Sequence, residues 1–126
     1  MAIGKKIGAF NLTSTSVKLS PSTGSMPDSE INFEGSINGE LNGSVYATMN
    51  FRTADGKDGN YTLTSLVILS NGDIVGASGR GTTSHASSQQ WNVAGVSDVS
   101  DTSSMAVKGL IDLENHSFTG ELFERN

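Results

Sequence analysis

Cysteine is absent from the chain, which rules out a disulfide framework, a thiolate nucleophile and a cysteine-bound zinc. The two histidines, His85 and His116, cannot complete a metal site by themselves, and no metal or other cofactor is expected. Positive charge is also scarce: 8 lysines and arginines stand against 13 acidic residues, for a net charge of -5. No basic stripe is available to a phosphate backbone. No apolar run approaches the ~18 residues of a membrane-spanning helix. The opening "MAIGKKIGAF" lacks the apolar segment of a secretory leader. Nucleic acid and membrane are therefore set aside as partners, and the cytoplasm is the expected location. Proline occurs twice, at Pro21 and Pro27, both inside "SPSTGSMPDS". Everywhere else the backbone keeps the N–H groups a sheet needs. Helical periodicity is sustained nowhere.

What is present is alternation broken by turn residues. Eight candidate strands follow, at about 8–19, 30–37, 41–53, 60–70, 73–84, 89–97, 103–114 and 117–124. In "VYATMNFR", Val45, Ala47, Met49 and Phe51 share one face, and Tyr46, Thr48, Asn50 and Arg52 share the other. "MAVKGLIDL" repeats the pattern. Asn38-Gly39 and Asn71-Gly72 suit two-residue type I′ turns, and residues 114–117 suit a further tight turn. Connections this short force sequence neighbours to pair antiparallel. Eight such strands without a covering helix can remove their edges by closing on themselves. The expected fold is all-β: one domain over residues 1–126, an eight-stranded antiparallel up-and-down barrel. A β-sandwich of the same strands is the alternative.

In a meander the loops alternate between two ends. The Asn-Gly turns and "SDVSDTS" collect at one end. The proline linker, "TADGKDGN", "SHASSQ" and the turn near Asn115 collect at the other, where longer loops suggest a binding mouth. If the more apolar face of each strand points inward, Phe33, Phe51, Tyr61, Trp91 and Phe118 gather toward that mouth. Strand five, in "LSNGDIVGASGRGTTS", would then direct Ile74, Gly76, Ser78, Arg80 and Thr82 inward. Gly76, Gly95 and Gly109 thin the walls of strands five to seven. An eight-stranded barrel is just wide enough to be filled or to hold one small ligand, and small residues opposite aromatics favour a cavity. The candidate ligand-binding set is Phe33, Phe51, Tyr61, Ser78, Arg80, Trp91 and Phe118, with Arg80 available to hold an anionic group. The inward faces otherwise lack charge, so Tyr61, Arg80 and His85 are the only catalytic candidates. Leu66, Ile68, Leu110 and Phe123 fall on outward faces, and a homo-oligomer joined through the outer wall is expected.

"FEGSINGELNGSVYATMNF" followed by "LVILSNGDIVGASGRGTTS" resembles the small allene oxide cyclase-like barrels, which share glycine-punctuated strands and a hairpin feeding a glycine-rich strand. The resemblance implies an internal apolar cavity, oligomeric assembly, and cyclisation or isomerisation without a redox cofactor. The expected function is therefore binding of a small apolar molecule, one that can carry an anionic group. Confinement in a productive conformer would make the barrel a cofactor-free cyclase or isomerase. The alternative is a non-enzymatic structural or interaction module that self-associates.

Overall fold

Alternation along each segment becomes a strand with one face inward. The computed structural model describes every residue except 1, 2, 23, 25, 54, 55, 101, 102 and 126. Its strands are β1 (Ile3–Ser20), β2 (Asp28–Gly39), β3 (Gly43–Thr53), β4 (Gly59–Leu69), β5 (Ile74–Ser87), β6 (Gln90–Val99), β7 (Ser104–Asp112) and β8 (Ser117–Arg125). Each pairs antiparallel with its neighbours in sequence, and β8 returns to β1, so the sheet is a closed barrel. β1 begins earlier than its local pattern indicates. Ile3 and Lys6 pair with Arg125 and Phe123 of β8 across two irregularities in register. That partner lies at the far end of the chain and leaves no local signal. The other end of β1 overhangs: pairing with β8 stops at Thr13↔Ser117, whereas pairing with β2 continues to Ser20↔Asp28. Val17 and Leu19 on this overhang are exposed.

Neither Asn-Gly pair forms a type I′ turn. That turn needs positive φ at both central residues, and here only Gly39 and Gly72 have it. After Leu69 the chain makes a turn closed by Gly72 N–H donating to the Leu69 carbonyl at 2.8 Å. Gly72 then takes a φ of 94°, and Asn71 Oδ1 accepts from Asp73 N–H at 2.9 Å. Between β2 and β3 three residues intervene, and Asn42 braces the connection by donating to the Gly39 carbonyl at 2.7 Å. The turn before β8 forms where expected. His116 adopts a φ of 56°, and Asp112 Oδ1 accepts from the backbone N–H groups of Glu114 and Asn115.

The half of the barrel nearer the long loops is filled. Ile31, Phe33, Met49, Val93, Ile111 and Phe118 are all buried there. Phe118 meets Phe10 edge-on at 4.9 Å between centroids and Phe33 at 5.3 Å. Gly109 accommodates these rings, because a Cβ there would lie 2.8 Å from the Phe118 ring. Thr83 is 2 % exposed, and its hydroxyl has no hydrogen-bond partner. Valine has the same shape without the buried oxygen. Thr83→Val is therefore expected to stabilise the protein by about 1 kcal/mol, read as a higher denaturant midpoint at unchanged m-value.

β5 runs in the opposite phase to the expectation. Val75 pairs with Val67, and Ala77 lies between Ser65 and Val99, so Val75, Ala77, Gly79 and Thr83 face inward. Ile74, Ser78, Arg80 and Thr82 are exposed. The phase is set across the sheet: Ile74 pairs with outward Ile68, and Val75 with buried Val67. Gly76 is also outward, beside Leu66.

An internal cavity as candidate functional site

The remaining half of the barrel is hollow. A cavity of about 90 Å³ lies inside it. At the tight-turn end its walls are Ile37, Leu41, Val67, Val75, Val99 and Met105. Nearer the middle they are Leu12, Ala47, Leu63 and Phe118. The hollow thus sits away from the long loops, where sequence reasoning places the mouth. The reason is volume: Phe33, Met49, Ile111 and Phe118 occupy the long-loop half, whereas one wall of the other is built from the shorter Val67, Val75, Ala77 and Val99. Strand five does thin the wall, through residues of the opposite phase. Gly79 pairs with both Leu63 and Ser97 and leaves that stretch without a side chain.

Three lining residues bring hydroxyls to the cavity: Tyr61 and Ser65 from β4, and Ser97 from β6. Among the described residues, none of these hydroxyls has a hydrogen-bond partner. Tyr61 is placed by glycines. It pairs with Gly81, which pairs in turn with Gly95, so its ring crosses the bare backbone of β5. A Cβ on Gly95 would fall 2.3 Å from the Tyr61 hydroxyl. Gly95 therefore makes room for an aromatic residue; it does not leave a void. Burial pushes the Tyr61 hydroxyl up to about 12, so it keeps its proton across the physiological range.

Among the described residues, no charged side chain lines the cavity. Arg80 lies on the outer wall, its side chain 60 % exposed, with Nη1 3.0 Å from Asp98 Oδ2. Ser104 donates to the other carboxylate oxygen at 2.9 Å. That hydrogen bond and the Arg80 guanidinium hold the Asp98 carboxyl below its ordinary range. Ser78 is likewise outward.

Phe51 and Trp91 border a second hollow, a cleft of about 200 Å³ at the long-loop end, together with Leu19, Met26 and Leu113. It shares no lining residue with the internal cavity. Trp91 Nε1 donates to the Lys57 carbonyl at 2.9 Å, and its ring packs 5.0 Å from the exposed His85 ring. His85 Nε2 lies 2.9 Å from the Ser88 carbonyl oxygen, so the imidazole belongs to this rim. Phe33 is buried in the filled half. Of the residues singled out from sequence, the structure brings Tyr61 and Phe118 to the cavity and distributes the others elsewhere. Ser97 and Gly79 were missed; the alternation Val93, Gly95, Ser97, Val99 carries Ser97, and correct phasing of β5 would have supplied Gly79.

The architecture defines a class: a closed eight-stranded antiparallel meander barrel with an apolar internal cavity. No family model, curated protein or solved structure matches the chain.

Proposed function

We propose that the barrel binds a small, largely apolar molecule in its internal cavity. The observation that carries this reading is the hollow itself, lined by aliphatic side chains and three hydroxyls without partners. Protein interiors are close-packed and contain few voids larger than a water molecule. A void of 90 Å³ costs about 2 kcal/mol of stability relative to a filled core, a cost that an occupant can offset. Cofactor-free cyclisation or isomerisation, as in the resemblance drawn above, is the catalytic form of the same reading. Confinement would select a reactive conformer, and Tyr61 would donate a hydrogen bond to an oxygen that gains charge.

Xenon tests the reading directly, because it enters dry apolar cavities. Under xenon, NMR signals of the Val67, Val99, Met105 and Leu122 methyls are expected to shift while those of Val93 stay still. Absence of selective shifts would remove the reading.

A second reading, a self-associating module, is favoured by the outer wall of β3–β5. Tyr46, Leu66, Ile68 and Ile74 are exposed there on adjoining rows of the ladder, and Leu110 and Phe123 are half-buried elsewhere on the outside. Under this reading sedimentation equilibrium gives a dimer or larger particle that Ile68→Asp reduces to the 13.1 kDa chain. A monomeric wild type sinks it.

A further inference from the structure

Resting on the cavity reading above, we infer that the ligand is a neutral carbonyl compound whose oxygen accepts a hydrogen bond from Tyr61. Three facts converge on that chemistry. First, the Tyr61 hydroxyl is held in place: the ring crosses Gly81 and ends over Gly95, where any side chain would collide with it. Second, Tyr61 is only 5 % exposed, lines the cavity, and its hydroxyl has no protein partner among the described residues. Polar groups removed from water normally have partners, since each unsatisfied one costs on the order of 1–3 kcal/mol. A ligand oxygen supplies the missing acceptor. Third, among the described residues neither a cation nor a carboxylate lines the walls.

The third fact fixes the charge of the ligand. An anion taken from water into an aliphatic cavity without a counter-charge meets a large desolvation cost, and the nearest candidate, Arg80, is on the outside and occupied by Asp98. An organic cation would find no carboxylate. A pure hydrocarbon would leave the Tyr61 hydroxyl without a partner. A carbonyl compound matches each feature, and Tyr61 stays protonated and able to donate because burial raises its pKa. The size of the buried part follows from the volume. An apolar cavity of about 150 Å³ takes benzene, so 90 Å³ buries roughly three or four non-hydrogen atoms of a ligand.

Three small probes of matched shape test the assignment: 2-butanone, 2-methyl-1-butene and propionate. Each is titrated into the wild-type protein and into Tyr61→Phe, with the cavity methyl signals as readout. Tyr61→Phe removes one oxygen and keeps the ring that packs against Gly95, and an unchanged amide spectrum confirms the fold. The ketone is expected to lose about fivefold in affinity in the variant, the alkene to change less than twofold, and propionate to leave the methyls unmoved in both proteins. If ketone and alkene both fail to shift the wild-type signals, the cavity reading itself falls. If both bind but the ketone is indifferent to Tyr61→Phe, the hydroxyl serves water only and this inference falls alone. Propionate binding in the cavity would overturn the neutral assignment.

Discussion

Phe118→Ala is expected to destabilise the protein by about 4 kcal/mol, and Phe118→Leu by much less. Phe118 is 2 % exposed and joins both halves of the interior. It contacts Phe10 and Phe33 within the aromatic cluster, and its other side lines the cavity. It also sits at the closing seam, paired with Leu12 of β1 and Ile111 of β7. Truncation removes the ring contacts and joins a new void to the existing one, where few neighbours can collapse to fill it. Urea unfolding followed by Trp91 fluorescence reads the loss as a lower midpoint at similar m-value. A loss under about 1 kcal/mol would show that the ring does not bear on core packing. If the variant folds, its enlarged hollow should bind benzene more tightly than the wild-type cavity does.

The second large effect is expected at a residue with no side chain. Gly95→Ala would place a Cβ 2.3 Å from the Arg80 carbonyl oxygen and 2.3 Å from the Tyr61 hydroxyl. The carbonyl is fixed in the β5–β6 ladder and the hydroxyl ends a buried ring, so neither retreats without moving a strand. Overpacking of this kind costs about 3 kcal/mol, or about 10 °C in melting temperature for a domain of this size. Combining Gly95→Ala with Tyr61→Phe separates the contributions. Removal of the hydroxyl should recover part of the loss, and the remainder belongs to the backbone contact. A fully stable Gly95→Ala would mean that the strands do not approach so closely and that Tyr61 is not seated over Gly95.

The closed barrel was legible in the sequence because its signals are local. Alternation in "VYATMNFR", short connections and prolines confined to one linker each constrain neighbouring strands. The phase of β5 was not legible. In "GASGRGTTS" glycine, serine and threonine give little contrast between the two faces, and the decision falls to Val67 and Ile68 across the ladder. The location of the hollow was hidden for a related reason. Long loops marked one end as the mouth, yet Phe33, Met49, Ile111 and Phe118 fill that half, and whether side chains fill a space depends on volumes contributed by all eight strands. Tyr61 was visible as a buried phenol. That it crosses Gly81 to end over Gly95 required the register, and with it the difference between a cationic hook at Arg80 and a neutral hydroxyl. The Asn-Gly pairs marked where the chain reverses but not the turn type, since in both only the glycine takes positive φ.

The pairing of β1 with β8 has a kinetic consequence. Every other hydrogen-bonded neighbour is adjacent in the chain and can zip up as soon as both segments exist. The seam joins residues such as Leu12 and Phe118, and bringing them together carries the largest loop-closure entropy in the molecule. During folding, β1–β7 can therefore assemble as a curved sheet that keeps two bare edges until β8 docks against β1, leaving that interval as the one most prone to intermolecular pairing.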